Sequence, residues 1–301
     1  MFHSGFVTLV GRPNTGKSTL VNALVGRKIA AVTPHPQTTR THLLGVVHTA
    51  QGQAVFVDTP GVHRGRGPLG RGLTRSVGAA LEGRDLALFM CDVTRAWGSE
   101  DAMALDLLRG DNAPPVFLVM NKMDLLPHQD ALLPLIAANR ERYPFAEVMP
   151  ISALKGKNLK ELQRLVFAAL PEGPEYFPAE QTTDQPENFW ISEIIREQAM
   201  LAMHAEIPHA LAVRIEADRM RRSRGKPLRV IEAVLICERQ GQKAALVGHG
   251  GATIRRIGSG ARQQLEAALN LHILLQLRVL VRADWREDPH AVAGLDFHKL
   301  G

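Results

Sequence analysis

The feature that most constrains the fold of this chain is a glycine-rich loop near its start, between two apolar segments. Residues 6–10 read Phe-Val-Thr-Leu-Val and predict a buried strand, and residues 19–25 predict a helix. Between them the chain reads GRPNTGKS, a full match to the pattern GxxxxGK[ST]. Glycine permits the backbone turn of such a loop, and its N–H groups wrap a phosphate at the helix N-terminus. The pattern predicts an α/β nucleotide-binding domain in which Lys17 bridges the β- and γ-phosphates and Ser18 ligates Mg²⁺.

A second motif predicts which base is bound. Asn121-Lys122-Met123-Asp124 follows the apolar run 116–120, where the carboxyl end of a buried parallel strand is expected. The carboxylate of Asp124 can accept hydrogen bonds from N1–H and the 2-amino group of guanine, a pair of donors that adenine lacks. The sequence therefore predicts GTP or GDP as the ligand and disfavours an ATP-dependent kinase.

The phosphate side of the site is completed by two more loops. The short apolar strand 54–57 ends at Asp58, which can hold Mg²⁺ through water, and the Gly61 N–H can sense the γ-phosphate. A proline-punctuated loop upstream suits a mobile switch segment. Thr39 is the better-placed residue to close the Mg²⁺ shell, and Thr38 remains an alternative.

Residues 151–154, Ile-Ser-Ala-Leu, follow another apolar run, and their backbone N–H groups are placed to contact the guanine O6. We therefore predict a metal site formed by Ser18, Thr39 and Asp58, and catalytic roles at the γ-phosphate for Lys17, Thr39 and Gly61. The predicted nucleotide-binding residues are Asn14, Thr15, Gly16, Lys17, Ser18, Thr19, Asp58, Gly61, Asn121, Lys122, Asp124, Ser152, Ala153 and Leu154.

Length and composition favour two cytoplasmic domains. A chain of 301 residues has room for two cores. No apolar run approaches the ~20 residues that span a bilayer, and no signal or transit peptide is expected, because the first predicted strand begins within a few residues of Met1. Cys91 and Cys237 fall in predicted strands of different domains and are expected to be buried, reduced thiols.

The boundaries follow from element order and composition. Residues 1–175 alternate strand and helix, which predicts a doubly wound, mostly parallel sheet. The linker 176–188 carries three acidic residues and no Lys or Arg. Residues 189–286 hold 16 Lys and Arg against 9 Asp and Glu, and residues 287–301 form a tail. The positive potential is thus concentrated in the second domain, where it can attract a polyanion.

The second domain is predicted to run helix–strand–strand–helix–helix–strand, with helices over residues 189–206, 242–247 and from Ala252 onward. Gly248-His249-Gly250-Gly251 separates the last two helices. A GxxG turn in this setting is the hallmark of a KH domain, here of type II, in which the loop clamps about four nucleotides. The predicted RNA-binding residues are Gly248, His249, Gly250, Gly251, Arg255 and Arg256.

The segment from Arg219 to Lys226 is strongly basic and is expected to form a hairpin loop between the two strands. Two interpretations remain open for it, a solvated loop and a contact with RNA or the ribosome.

Taken together, these segments resemble the bacterial Era family of GTPases over nearly the whole chain. The resemblance is carried by GRPNTGKSTLVNALVG, PQTTR, DTPG, NKMD and ISAL, then by TDQPENFWISEIIREQ and VGHGGATIRRIGSGARQQLE. It implies a GTP-hydrolysing switch that binds the 3′ region of small-subunit ribosomal RNA and acts in small ribosomal subunit assembly. It also implies peripheral association with the inner membrane face for some members.

Three residues bear on how this chain would perform that function. His249 replaces the lysine usual in the family's loop, which removes a permanent charge. Val62 stands where Ras-like proteins place a water-orienting glutamine, so hydrolysis is expected to be slow. Asn14 matches an asparagine that related GTPases use to help bind K⁺.

Three other functions compete with this one. The first is an RNA-binding assembly module in which GTP is a largely structural ligand. A tRNA-modification GTPase is disfavoured because the C-terminus lacks a cysteine, and a tandem GTPase because one phosphate-binding loop is present.

Overall fold

The chain forms two compact units, the first ending at Asp184 and the second beginning at Gln185. The computed structural model describes residues 1–35, 38–39, 42–62, 80–110, 113–203, 211–223 and 225–285. The predicted tail 287–301, residues 36, 37 and 40 of the proline-punctuated loop 36–40, and residues 204–206 of the first KH helix lie outside the described residues.

Within the described residues, the first unit contains a six-stranded sheet in the order β2-β3-β1-β4-β5-β6. Its strands are β1 (His3–Val10), β2 (Leu43–Thr49), β3 (Gly52–Asp58), β4 (Leu86–Asp92), β5 (Val116–Asn121) and β6 (Glu147–Pro150). All neighbours pair in parallel except β2 and β3. β3, β4 and β5 are buried at every residue, as expected for strands covered on both faces. The predicted doubly wound, mostly parallel sheet is confirmed.

The helices of this unit pack apolar side chains on the two sheet faces. They are α1 (Lys17–Val25), α2 (Ser99–Asp106), α3 (Leu132–Arg140) and α4 (Leu159–Ala169). One core contains Leu20 and Leu162, and the other contains Ala104 and Leu132. Because β1, β3, β4, β5 and β6 run in parallel, their carboxyl ends share one rim of the sheet. Ligands bind at this rim in open α/β folds.

The segment after α4 runs back along the first unit. Gly173 N–H donates to the Phe2 carbonyl (3.2 Å), and Val46 N–H donates to the Thr182 carbonyl (2.9 Å). The buried side chain of Gln53 accepts N–H groups of Tyr176 and Phe177 and donates to the Phe177 carbonyl. Residues 176–184 of the predicted linker therefore belong to the first unit in the structure.

The second unit is a three-stranded sheet, in the order β7-β8-β9, with helices packed on it. β7 pairs antiparallel with β8, and β8 pairs parallel with β9, which gives the type II KH arrangement. Its core includes Ile194, Leu235 and Leu265. Its elements are α5 (Glu187–Ala202), β7 (Ala212–Ser223), β8 (Lys226–Cys237), α6 (Gln240–Val247), α7 (Ala252–Leu269) and β9 (His272–Val281).

The prediction that the whole segment from Arg219 to Lys226 is a loop is wrong. β7 continues to Ser223, and β8 begins at Lys226. The prediction ended β7 where its apolar alternation ended. Ladder hydrogen bonds join backbone groups, however, so exposed polar residues extend the hairpin by pairing alone.

Three other observations concern the whole chain. Cys91 and Cys237 are buried, free thiols, as predicted. Trp285, which the sequence left without a role, is 2% exposed and packs with Val234 and Ile236. Among the helices that the structure describes, none is both long and apolar enough to cross a bilayer.

Candidate functional site

The side chain of Lys17 bonds the backbone of the loop that follows β1. Lys17 Nζ donates to the carbonyls of Gly11 and Arg12, each at 3.0 Å. Asn14 and Gly16 have positive φ angles of 64° and 97°, the backbone conformation that lets successive N–H groups turn toward one centre. A Cβ at position 16 would lie 2.3 Å from the amide nitrogen of Asn121, so only glycine fits there.

A buried ion pair, which no sequence pattern predicts, joins this loop to α2. Arg12 Nη1 lies 2.9 Å from Asp101 Oδ2, and both side chains are buried. The same carboxylate oxygen accepts the Gly98 N–H (2.9 Å) at the start of α2. The loop is thereby joined to the N-terminus of α2 through one carboxylate.

Three oxygen-bearing side chains from separate segments converge beside Lys17. Ser18 Oγ donates to Asp58 Oδ2 (2.6 Å) and lies 2.8 Å from Thr39 Oγ1. Thr39 Oγ1 is 3.4 Å from the same Asp58 oxygen. Thr38 instead bonds Thr33 and the His35 carbonyl, so the structure places Thr39 at this cluster.

The cluster fits Mg²⁺. Hydroxyl and carboxylate oxygens are the ligands this cation prefers, and it is commonly held by few protein groups together with phosphates. Asp58 is fully buried, and its Oδ1 has no hydrogen-bond partner among the described residues. A buried carboxylate oxygen in that state is costly unless a cation or its water satisfies it.

Burial also perturbs the two charged groups of the phosphate side. Desolvation raises the pKa of Asp58 to about 6, although hydrogen bonds from Ser18 and the charge of Lys17 oppose the shift. Desolvation lowers the pKa of Lys17 to about 8, against the attraction of Asp58. Burial thus disfavours the charged forms of Asp58 and Lys17. A cation next to Asp58, or a phosphate next to Lys17, would favour the charged form again.

On the base side, Asn121 joins two loops. Its Nδ2 donates to the Thr15 carbonyl (2.8 Å), and its Oδ1 accepts the Ala153 N–H (3.0 Å). The Ala153 N–H is therefore engaged within the protein and is not directed at the base, unlike the expectation for residues 152–154. Asn121 acts as a tie between the phosphate loop and the loop after β6.

The lysine of the same motif is held in a fixed position. Lys122 has a positive φ of 69°, and its Nζ lies 2.6 Å from Asp92 Oδ2. Burial would raise the pKa of Asp92, but hydrogen bonds from Lys122 and Thr94 outweigh it and hold the pKa below its ordinary value. Lys122 is therefore fixed along the wall of the site.

These groups border a cavity of about 350 Å³. Four of the predicted residues do not line it and are buried: Thr15, Asp58, Ser152 and Ala153. Leu125 lines the cavity and is 63% exposed, a residue that sequence reasoning missed. The predicted residues that line the cavity are Asn14, Gly16, Lys17, Ser18, Thr19, Thr39, Gly61, Asn121, Lys122, Asp124 and Leu154.

The segment after β3 approaches the loop closely. A Cβ on Gly61 would lie 2.6 Å from Pro13 Cα, so glycine is required. The next residue, Val62, donates its N–H to the Gly11 carbonyl (3.1 Å) and buries its side chain in a core cluster. That side chain cannot orient a water.

In the second unit, the GxxG turn joins α6 to α7. Gly248, Gly250 and Gly251 all have positive φ angles, between 53° and 79°. A Cβ on Gly248 would lie 2.3 Å from Thr253 Oγ1, whereas Gly250 faces open space.

The charged residues near this turn differ in their surroundings. His249, Arg255 and Arg256 are all exposed. Arg256 also donates to the Ala202 carbonyl (2.9 Å) at the end of α5, so part of its hydrogen-bonding capacity serves the fold.

The sheet, the phosphate loop and the guanine-reading motif define a P-loop GTP-binding protein whose second unit is a type II KH domain. The family described as 50S ribosome-binding GTPase matches residues 6–122, and the KH domain family matches residues 206–286. The chain is 42% identical to GTPase Era of Geobacter metallireducens, over 98% of both proteins. It belongs to the Era family of GTPases.

Solved structures agree with this assignment. The crystal structure of Era in complex with MgGDPNP and nucleotides 1506–1542 of 16S ribosomal RNA is 36% identical and superposes with a TM-score of 0.92. An Aquifex aeolicus Era variant bound to GDP·AlF₄⁻ is also 36% identical, with a TM-score of 0.93. Each comparison covers 98% of this chain and 99% of the other.

Proposed function

We propose that this chain is a GTP-hydrolysing switch that binds the 3′ region of small-subunit ribosomal RNA and acts in small ribosomal subunit assembly. The observation that carries the proposal is the convergence of Ser18, Thr39 and Asp58 beside Lys17. Thr39 belongs to a loop separate from the other two residues. Its position can therefore report whether a γ-phosphate and its cation are bound.

The predicted catalytic, metal-binding and guanine-reading residues have proposed roles at the GTP. Lys17 neutralises the β- and γ-phosphates, the Gly61 N–H contacts the γ-phosphate, and Asp124 reads guanine. Mg²⁺, held by Ser18, Thr39 and Asp58, supplies further charge neutralisation as phosphate charge develops. Since phosphoryl transfer asks little covalent chemistry of the protein, these electrostatic contacts and the positioning they impose carry the catalysis.

The RNA is proposed to bind at the GxxG turn. Gly250 faces open space, so a nucleotide backbone can approach it closely, and Arg255 adds positive charge beside it. His249 stands where the family's loop usually has a lysine, so we propose that this loop attracts phosphate more weakly than a loop that carries the lysine.

Binding of RNA tests both halves of the proposal. The full chain, loaded with GDP or GDPNP, would be titrated with RNA of nucleotides 1506–1542, the segment bound in the related complex. We expect tighter binding with GDPNP and loss of binding in Gly250→Asp. Gly110→Asp is the matched control, because position 110 in the first unit is equally open. Equal affinity in both nucleotide states would refute the switch.

A second candidate function is an RNA-binding assembly module in which GTP is a structural ligand. The observation in its favour is the buried side chain of Val62, which leaves no water-orienting group at that position. Single-turnover hydrolysis with and without the RNA separates the two functions. Acceleration by RNA supports the switch, and a slow rate that RNA does not change supports the structural ligand.

Two further parts of the proposal concern ions and location. Asn14 lines the cavity beside the phosphate loop, and we propose that K⁺ binds there and speeds hydrolysis. Equal turnover in matched K⁺ and Na⁺ buffers would contradict this. We place the protein in the cytoplasm, with peripheral association at the inner membrane face, which sedimentation with anionic vesicles would test.

A further inference from the structure

The first unit has a second cavity, of about 390 Å³, at the start of two central strands. This volume falls within the roughly 300–1,000 Å³ range of small-molecule sites. Leu81, Gly83 and Arg84 line the cavity just before β4 begins, and Pro114 lines it just before β5 begins. We call it the β4–β5 cavity.

The β4–β5 cavity is separate from the nucleotide site. β4 and β5 pair in parallel, so both strands start at the same edge of the sheet. Their last residues, Asp92 and Asn121, belong to the opposite edge, where Asn121 lines the nucleotide cavity. β4 has seven residues and is therefore about 20 Å long. A ligand of the β4–β5 cavity is thus a different molecule from the nucleotide at the phosphate loop.

Two arginines line the cavity, and the first of them, Arg84, is only partly satisfied. Its Nη1 donates to the Leu81 carbonyl, its Nε is buried without a hydrogen-bond partner, and its Nη2 bonds no residue that the structure describes. The neighbouring carboxylate of Asp85 accepts the Phe6 N–H instead (2.7 Å). Burial lowers the pKa of Arg84, against a smaller effect of Tyr143. A nearby anion would favour the charged form again.

The second arginine, Arg109, is oriented by the fold. Its Nε donates to Asp106 Oδ1 (3.1 Å), and its Nη2 donates to the Arg142 carbonyl (3.3 Å). Its guanidinium carbon lies 5.7 Å from the centre of the Tyr143 ring. Its Nη1 bonds nothing in the described part of the chain. The ion pair with Asp106 is exposed on both sides and therefore weak, so Arg109 can still attract a ligand of negative charge.

These two guanidinium groups favour a phosphate over a carboxylate. A carboxylate offers two oxygens, which a single guanidinium fork can satisfy. A phosphate offers three or more oxygens, so it can accept hydrogen bonds from two arginines that belong to separate segments. Gly83 has a φ of 69° and faces open space, which leaves room for such a group beside the backbone.

We propose that the β4–β5 cavity binds a phosphate group through Arg84 and Arg109. The phosphate is either the inorganic ion or part of a small phosphorylated molecule. The inference does not rest on the proposed RNA-binding function, because the cavity lies within the first unit.

Binding of phosphate to the GDP-loaded protein tests this. The full chain, saturated with GDP and Mg²⁺ to occupy the phosphate loop, would be titrated with inorganic phosphate and, separately, with glycerol phosphate. The ionic strength is held constant, and broadening of the ligand's phosphorus NMR signal reports binding. Succinate is added as a competitor to measure how well a carboxylate occupies the same site.

The variants are R84Q, R109Q and the double variant, with R164Q as the matched control. Arg164, like Arg109, is an exposed arginine of the first unit that pairs with an acidic residue three positions earlier in the chain. GDP affinity would be measured for every variant. A value within about twofold of the unmodified chain shows that the protein is folded, and the exposed position of Arg109 makes R109Q a safe substitution.

We expect inorganic phosphate to bind the unmodified chain with a Kd on the order of 1 mM, as suits so small a ligand. R84Q and R109Q should each raise this Kd by at least about tenfold, since each removes hydrogen bonds to a charged group. R109K should weaken binding less than R109Q, because it keeps the charge and loses the fork. R164Q should change the Kd by less than about twofold.

The two phosphate probes distinguish the sources of the ligand. Equal binding of glycerol phosphate identifies the phosphate of a larger molecule, whereas binding of inorganic phosphate alone identifies the free ion.

Several results would overturn the inference. Phosphate binding that is absent at constant ionic strength, or that is unchanged in the double variant, would remove the site. An equal loss in R164Q would reduce the effect to general surface charge. Competition by succinate as strong as that by phosphate would contradict the preference for phosphate. Weaker RNA binding by the double variant, without any phosphate binding, would make the two arginines an RNA contact instead.

Discussion

Replacing Asn121 by alanine should weaken nucleotide binding even though its amide is engaged with the protein. The substitution removes the donor to the Thr15 carbonyl and the acceptor for the Ala153 N–H. Both partners are buried, with exposures of 0% and 3%, so water does not replace the lost bonds. A buried group left unpaired costs roughly 1–3 kcal/mol, which gives roughly 2–6 kcal/mol for the pair.

Part of that cost should appear in GDP affinity, because the two loops that hold the phosphates and the base are no longer fixed to each other. A loss of about 2 kcal/mol corresponds to roughly a 30-fold increase in Kd. Stopped-flow binding of a fluorescent GDP analogue would measure it, together with urea unfolding of the nucleotide-free chain.

Asn139→Ala is the matched control, because it removes one side-chain bond to the Leu135 carbonyl in α3. We expect its Kd to stay within about twofold of the unmodified chain, since the lost bond is local to α3 and only partly buried. If Asn121→Ala lowers the free energy of unfolding but leaves the GDP affinity unchanged, the idea that Asn121 holds the two loops in position for the nucleotide is refuted.

Three more predictions follow from the site and the GxxG turn. Arg12→Met leaves Asp101 buried and unpaired, so urea unfolding should show a loss of about 3–5 kcal/mol, less in the double variant with Asp101→Asn. In magnesium-free protein, protonated Asp58, with a pKa of about 6, contributes about 3 kcal/mol to the free energy of unfolding. This contribution is complete below about pH 4 and is lost as the pH rises through 6. A pH series of unfolding curves should show this loss in the unmodified chain but not in Asp58→Asn. Gly248→Ala should abolish RNA binding through its clash with Thr253, whereas Gly250→Ala, in open space, should bind more weakly by less than about tenfold in the same titration.

The sequence was sufficient to predict the rim of the first sheet. Lys17 and Ser18 begin the helix after β1, and Asp58 and Asp124 stand at or just after the ends of β3 and β5. Parallel pairing then brings these strand ends together. The element order of the KH unit was also predictable from the sequence. The spacing of apolar residues in each segment is typical of either a helix or a strand, and each such segment corresponds to one element.

Long-range polar contacts were not predictable. Arg12 and Asp101 are 89 residues apart, and their pairing depends on how α2 packs behind the loop. Asn121 was assigned to the nucleotide by its motif, yet its two bonds join protein loops. The extent of β7 was missed for a related reason, since backbone pairing continues through residues whose side chains carry no apolar period.

The segment from Glu172 to Asp184 has a practical consequence for how the first unit could be isolated. β2 is the outermost strand of its sheet, and Val46 N–H and Leu44 N–H bond Thr182 and Asp184. A fragment that ends at residue 175 would leave the N–H groups of Leu44 and Val46 without these partners on an apolar edge strand. Such a strand can pair with the same strand of another copy.

The same cut would strip Gln53 of the backbone groups it bonds at Tyr176 and Phe177. We expect a fragment ending at 175 to aggregate and one ending at 184 to stay monodisperse. This acidic stretch, which reads as a tether between two domains, protects the outer strand of the GTP-binding sheet from self-association.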